Sequence, residues 1–215
     1  MIVYLIRHGQ SEGNVARVHQ TAATPLSPLG ETQAAKLAER LKDIAIDEIW
    51  TSPMVRAKHT AEIINEYQHV VMTEIDELYE IKRPSSFNGK RFDDPSLIQI
   101  KKEMNMGTDI GPDDPYFKMG DGESVAEFTE RMKRVMQQLE AKAKQEKDDF
   151  ILCVTAHGFV VSALFLVAAL GEHATPEVLH YGLTHLRHEN TGITMLKIDQ
   201  HSQKRALAYS DFSHL

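Results

Sequence analysis

One cysteine, Cys153, occurs in 215 residues, which excludes an internal disulfide framework and any zinc site built from two or more thiolates. A reducing cytoplasm is the compartment that fits such usage. Long hydrophobic runs are missing as well. The longest near-continuous one, Phe159 to Leu170, covers twelve residues with Ser162 inside it, too short to span a bilayer and suited to a core helix. No basic stretch precedes the apolar start Met1-Ile2-Val3-Tyr4-Leu5-Ile6, which meets Arg7 after six residues, so a buried strand is expected there rather than a secretory signal. Cations are in deficit: 24 Lys and Arg stand against 31 Asp and Glu, a formal charge of -7. A chain without a broad basic surface is not expected to bind nucleic acid through its phosphate backbone. Neither an internal repeat nor a low-complexity tract is seen.

What remains is an ordinary globular composition, 42% hydrophobic and 26% charged. Its length suits one domain, residues 1–215, able to bury roughly 70% of its unfolded surface. The opening run predicts a central strand buried on both faces. Ser27-Pro28 offers an N-cap and a first-turn proline, with Leu29, Gln33, Leu37 and Leu41 at a period of four behind it. Ile44 to Trp50 predicts a second strand. Ser52-Pro53 repeats the cap device before a helix carrying Arg56 and running to about Tyr67, and Val70 to Ile75 predicts a third strand. Between 80 and 120, Pro84, Gly89, Pro95, Gly107, Gly111, Pro112, Pro115 and Gly120 interrupt the pattern. That stretch predicts a lid-like insertion, about 81–121, with a short helix near Ser96 to Met104. Gly122-Glu123-Ser124 opens a helix whose Val125, Phe128, Met132, Val135 and Leu139 form a core-facing stripe. Phe150 to Thr155 predicts a strand, followed by the apolar helix from Gly158. Gly192 to Asp199 and Arg205 to Tyr209 predict a strand pair at a sheet edge. Alternation of this kind argues for an α/β fold, a three-layer α/β/α sandwich with a mostly parallel central sheet and an antiparallel edge strand.

Three strand ends carry residues suited to phosphate. They are Arg7-His8-Gly9, Thr51-Ser52-Pro53 with Arg56 one helical turn later, and Ala156-His157-Gly158. Ligands of open α/β sheets lie at the carboxyl ends of strands, so Arg7, His8, Arg56 and His157 are expected in one pocket. Two guanidinium forks match the oxygens of a phosphoryl group and stabilise its transfer. A neutral imidazole whose other nitrogen is tied to an acceptor is a competent nucleophile, and His8, beside a glycine that allows close backbone approach, is placed for that part. Departure of an alkoxide needs a proton donor. Asp76, Glu77 and Glu80 follow the third strand, and position alone does not choose among them.

Six ordered blocks resemble the histidine phosphatase superfamily, the phosphoglycerate-mutase-like proteins. They are Leu5-Ile6-Arg7-His8-Gly9-Gln10-Ser11-Glu12-Gly13-Asn14, Leu26-Ser27-Pro28-Leu29-Gly30, Thr51-Ser52-Pro53 with Arg56-Ala57 and Thr60-Ala61, Leu78-Tyr79-Glu80, Gly122-Glu123-Ser124, and Thr155-Ala156-His157-Gly158. The resemblance spans nearly the whole chain and implies a phosphohistidine mechanism. By that likeness His8 accepts the phosphoryl group, while Arg7, Arg56 and His157 bind its oxygens. Glu80 is then the proton donor and later the base for water, and Asn14 matches a position that often touches the phosphate. The resemblance implies no metal and no cofactor.

Two departures bear on activity. Where family members commonly carry Phe-Gly-x-Trp-Glu-Gly after the acid, this chain has Ile81-Lys82-Arg83-Pro84-Ser85-Ser86-Phe87-Asn88-Gly89-Lys90. The Glu-Arg-His-Tyr-Gly block and tandem lid arginines of cofactor-dependent mutases are not present, which favours hydrolysis over transfer back to substrate. Lys82, Arg83, Lys90, Arg91, Lys101 and Lys102 against Asp93 and Asp94 leave the segment 82–102 with an excess of four cations. With Lys82 and Arg83 as substrate contacts, it suits a small phosphomonoester bearing a second anionic group. The expected partner is thus a small-molecule phosphoester, with neither nucleic acid nor membrane, and a homodimer is the assembly considered. Competing readings are a mutase-type phosphoryl transfer and a non-catalytic phospho-ligand or phosphoprotein binder. His173, His180, His185 and His188 lack the i, i+4 spacing of a helical metal site, and Cys153, mid-strand among apolar neighbours, is expected to be an inert buried thiol.

Overall fold

Alternate residues of the first strand face opposite layers, because successive side chains of a strand point to opposite sides of the sheet. The computed structural model describes residues 1–103 and 114–215. Within the expected insertion, 104–113, including Met104, Gly107, Gly111 and Pro112, lies outside the described residues, as does the Lys101 side chain. In chain order the described elements are β1 (Ile2–Arg7), α1 (Glu12–Ala16), α2 (Pro28–Leu41), β2 (Glu48–Thr51), α3 (Val55–Gln68), β3 (Val71–Glu74), α4 (Pro95–Glu103), α5 (Val125–Gln145), β4 (Ile151–Ala156), α6 (Gly158–Leu170), α7 (Pro176–His185), β5 (Ile193–Ile198) and β6 (Lys204–Asp211). The sheet order is β3-β2-β4-β1-β5-β6. The first four are mutually parallel, β5 runs antiparallel to β1, and β6 closes the edge antiparallel to β5.

On one face Val3, Leu5, Leu152 and Val154 pack with Phe128 and Met132 of α5, Val160 and Leu164 of α6, and Leu179 and Leu183 of α7. On the other, Tyr4, Ile6, Ile49 and Cys153 pack with Leu37 and Leu41 of α2 and Ala61 and Ile64 of α3. This is the expected three-layer α/β sandwich with antiparallel pairing confined to one edge. The stripe from Val125 to Leu139 is buried throughout, and Ser124 caps its helix in a reciprocal box with Glu127.

Several local expectations need correction. Leu29 is 52% exposed, and α2 buries Gly30, Ala34, Leu37, Ala38 and Leu41, since a strict period of four drifts by about 40° per step on a helix of 3.6 residues per turn and carries Leu29 off the face that Leu37 and Leu41 share. β2 starts at Glu48, not Ile44. The Ile44 and Ile46 amides bond back to Leu41 and Ile44 carbonyls in a turn, and their side chains enter the core from there. Ser52-Pro53 does not cap α3: the helix begins at Val55, and its N-cap, Met54, makes no side-chain cap bond. The Ser52 hydroxyl is committed elsewhere, as described below.

Candidate active site

Parallel register brings the three strand ends together. Arg7 pairs with Ala156 and Thr51 with Thr155, and the Thr155 hydroxyl donates to Thr51 Oγ1 at 2.8 Å. One residue further on, the His8 amide bonds Ala156 O at 2.9 Å and the Ser52 amide bonds Thr155 O at 3.0 Å. His8, Ser52 and His157 therefore leave the sheet at the same level. The turn after His8 is pressed against the start of α2: a Cβ on Gly9 would stand 2.4 Å from Gly30 O, so a side chain there would force the two segments apart.

His8 is 3% exposed. Its Nδ1 lies 2.6 Å from Gly9 O, and a carbonyl can only accept, so the ring proton is assigned to Nδ1. Nε2 then carries the lone pair, which accepts from Arg56 Nε–H at 3.1 Å. Burial, with the Arg56 and Arg7 charges, holds the imidazole well below its ordinary pKa, so it is neutral at pH 7. The Asn190 side-chain amide donates to His8 O at 2.9 Å and fixes the backbone.

His157 is fully buried beside His8, ring centroids 5.2 Å apart, behind the cavity wall rather than on it. Burial first, then Arg56, keeps it neutral as well. Its Nε2 is 2.9 Å from Ser52 Oγ, which also accepts from the Met54 amide at 3.3 Å. With the Ser52 hydroxyl hydrogen assigned to Nε2, the ring proton is on Nδ1, an atom with no partner among the described residues. Ser52→Ala is expected to release this tautomer, visible as mixed Nδ1/Nε2 character in ¹⁵N spectra of His157. Turnover should fall about tenfold, the scale of one buried hydrogen bond.

The two arginines differ in setting. Arg56 donates to Thr21 O at 3.0 Å as well as to His8, and burial lowers its pKa to about 10, so it stays cationic. Arg7 donates through Nη1 to His188 O, and its Nε is buried without a partner among the described residues. Across from them the Glu80 carboxylate accepts from the Ile81 amide at 2.9 Å and the Phe159 amide at 3.4 Å. Desolvation nevertheless raises its pKa, as a proton donor requires.

These groups open on a cavity of about 1070 Å³ whose wall carries Arg7, His8, Asn14, Arg56 and Glu80. Of the three candidate acids only Glu80 is there, whereas Glu77 binds Arg134 and Gln138 on α5. Asn14 reaches the wall, but its Oδ1 is held by the Ser11 amide and hydroxyl in the cap of α1. Lys82 and Arg83 are wall residues, and the Arg83 guanidinium lies 5.7 Å from the Phe159 ring centroid. Lys90 and Arg91 are not, being bonded to Ser96 and Asp93. Among the described side chains of the basic segment, these two cations face the cavity, and Lys90 and Arg91 do not. Cys153 takes no part: burial pushes its thiol up to about 12. Among the described residues no three His, Cys, Asp or Glu are grouped to hold a metal ion, and no helix is long and apolar enough to cross a membrane.

The sequence profile of the histidine phosphatase superfamily (branch 1) matches residues 3–210. The chain belongs to that superfamily. A protein described as an uncharacterized phosphatase, PhoE, of Bacillus subtilis (strain 168) is 32% identical over 171 residues, 79% of this chain and 78% of its own length. A protein named as a probable phosphoglycerate mutase, GpmB, of Photorhabdus laumondii is 48% identical over 63 residues, 29% of each chain. Among solved structures, Bacillus stearothermophilus YhfR superposes with a TM-score of 0.81 at 25% identity, over 99% of this chain and 98% of that one. Within this histidine phosphatase fold, Ser52, Asn190 and the His188 carbonyl are site groups that sequence reasoning missed. Ser52 stood in a quoted block but looked like a helix cap, and the other two act through long-range contacts that no local pattern marks.

Proposed function

We propose that this single domain, residues 1–215 with a lid-like insertion at about 81–121, is a metal-independent phosphomonoester hydrolase working through a phosphohistidine. The observation that carries the reading is the neutral His8 ring, its Nε2 lone pair aimed at Arg56 and its other nitrogen held by Gly9 O, with the raised Glu80 carboxyl on the same cavity wall. Nε2 attacks phosphorus and the ester P–O bond breaks. Glu80 passes its proton to the departing alkoxide, and the alcohol leaves. Arg7 and Arg56, on the cavity wall, take the phosphoryl oxygens as charge builds, and Asn14 offers its amide hydrogens. The Nδ1–H of His157, unpartnered among the described residues and behind the wall beside His8, is the donor the phosphoryl group would meet as it seats on His8 Nε2. A water then attacks phosphorus, giving its proton to Glu80 as the P–N bond breaks, which frees orthophosphate and restores the neutral imidazole.

The substrate in this reading is a small phosphoester whose second anionic group meets Lys82 and Arg83. Reversing both charges is expected to raise KM about tenfold for doubly anionic phosphoesters, two weak ion pairs, and to spare esters without that group. Equal losses on both classes would remove the assignment. The likeness to a mutase-named protein supports a competing reading, in which the phosphoryl group returns to the same sugar acid. Phosphate release from a panel of phosphorylated metabolites, with and without chelator, separates them: hydrolysis liberates orthophosphate whether or not metal is sequestered, whereas a mutase exchanges positions and liberates little.

A further inference from the structure

The buried ion pair Glu123–Arg131 stands outside the cavity wall and outside every role given above. Its side chains are 9% and 3% exposed. Arg131 grips both oxygens of Glu123, Nε to Oε1 at 2.9 Å and Nη2 to Oε2 at 2.7 Å. Its third nitrogen, Nη1, donates to two main-chain carbonyls, Glu77 O at 2.6 Å and Tyr79 O at 2.8 Å, and its Cζ lies 3.7 Å from the Tyr79 ring centroid. Glu123 binds the far side of the same segment: its amide donates to Lys82 O at 2.8 Å, and its Oε2 accepts from the Lys82 amide at 3.3 Å. The backbone on both sides of Glu80, at 77, 79 and 82, is thus fastened to one desolvated pair at the start of α5. Among the described residues the Glu80 carboxylate has two hydrogen bonds of its own, both from main-chain amides, one of them 3.4 Å long.

We propose that Glu123–Arg131 is the positioning device for the proton-transferring carboxyl, acting on catalysis only through Glu80. This rests on the reading of Glu80 as the acid. A pair kept merely for stability is weakly motivated physically, because apolar residues of similar volume often serve as well, whereas a fork that joins two carbonyls and a carboxylate fixes one backbone geometry. A displacement of about 1 Å at a reacting group can cost about 10²-fold.

The test is a double-mutant comparison. Arg131→Met with Glu123→Leu removes both charges together and leaves neither one buried alone. In the otherwise native chain, first-turnover phosphoryl transfer from an alkyl phosphate should fall about 10²-fold, with little change for an aryl phosphate of good leaving ability and with KM held. In the Glu80→Gln background the same pair should change the rate by no more than about twofold. A loss that multiplies fully on top of Glu80→Gln, or that falls equally on both leaving groups, overturns the positioning role and leaves the phosphohistidine reading intact. A harmless Glu80→Gln overturns the assignment of Glu80 as the acid, and the positioning role with it. Should the double replacement fail to fold, Arg131→Lys is measured in the same two backgrounds, because it keeps the charge facing Glu123 but cannot bridge both carbonyls.

Discussion

Replacing His8 by alanine is expected to lower turnover by about 10⁴- to 10⁶-fold, the scale seen when a nucleophile is removed from an otherwise intact site. The protein should remain folded. The backbone at this position is held by its own amide on Ala156 O and by the Asn190 side chain on its carbonyl, neither of which needs the ring. The lost imidazole is neutral, so no ion pair is broken, and Arg56, which loses that acceptor, keeps its bond to Thr21 O and its place on the cavity wall. The measurement is a rapid quench into alkali, where a P–N bond survives, during turnover of labelled phosphoester. Native protein should hold label on His8, and the alanine variant should hold none while melting normally. A native enzyme that turns over with no trapped adduct would end the covalent mechanism.

Glu80→Gln is the second large effect, and its signature is selective. With the proton donor gone, alkyl phosphates should lose about 10²- to 10⁴-fold, whereas aryl phosphates, whose leaving groups depart without help, should lose far less in the first step. They should then accumulate phosphoenzyme, because the base for water is missing too. The pH dependence follows from the directions of two shifts. Glu80 works protonated and its pKa is raised by desolvation, so kcat/KM for alkyl phosphates should fall as pH rises through a value above the ordinary carboxylate range, and that limb should vanish in Glu80→Gln. His8 works unprotonated and its pKa is held well below the usual imidazole value, so the acid limb should lie below that value. An alkaline limb that persists in the Gln variant, or equal crippling on both leaving groups, would show that another group carries the proton.

Much of this was legible locally. The strand pattern of Ile2–Arg7, the cap at Ser27-Pro28, the stripe from Val125 to Leu139 and the strand-end placement of Arg7, His8 and His157 all follow from periodicity and turn chemistry, which act over a few residues. The errors differ in cause. Ser52 looked like a cap because Ser-Pro ordinarily is one, but its hydroxyl met a histidine 105 positions away, a partner that appears only when β2 lies against β4. The period of four from Leu29 to Leu41 marked the helix, but not its buried face, because a repeat of four drifts around a helix of 3.6 residues per turn and leaves Leu29 exposed.

By itself the chain composition and order determined the layered α/β class and which side chains could handle a phosphoryl group, since both are written in residue type and short-range spacing. Position in the chain left three acids open and the family likeness picked Glu80, which the fold sets on the cavity wall. Tertiary structure alone decided which nitrogen of each imidazole is free and how the 77–82 backbone is fastened, because each depends on a hydrogen-bond partner supplied from a distant part of the fold.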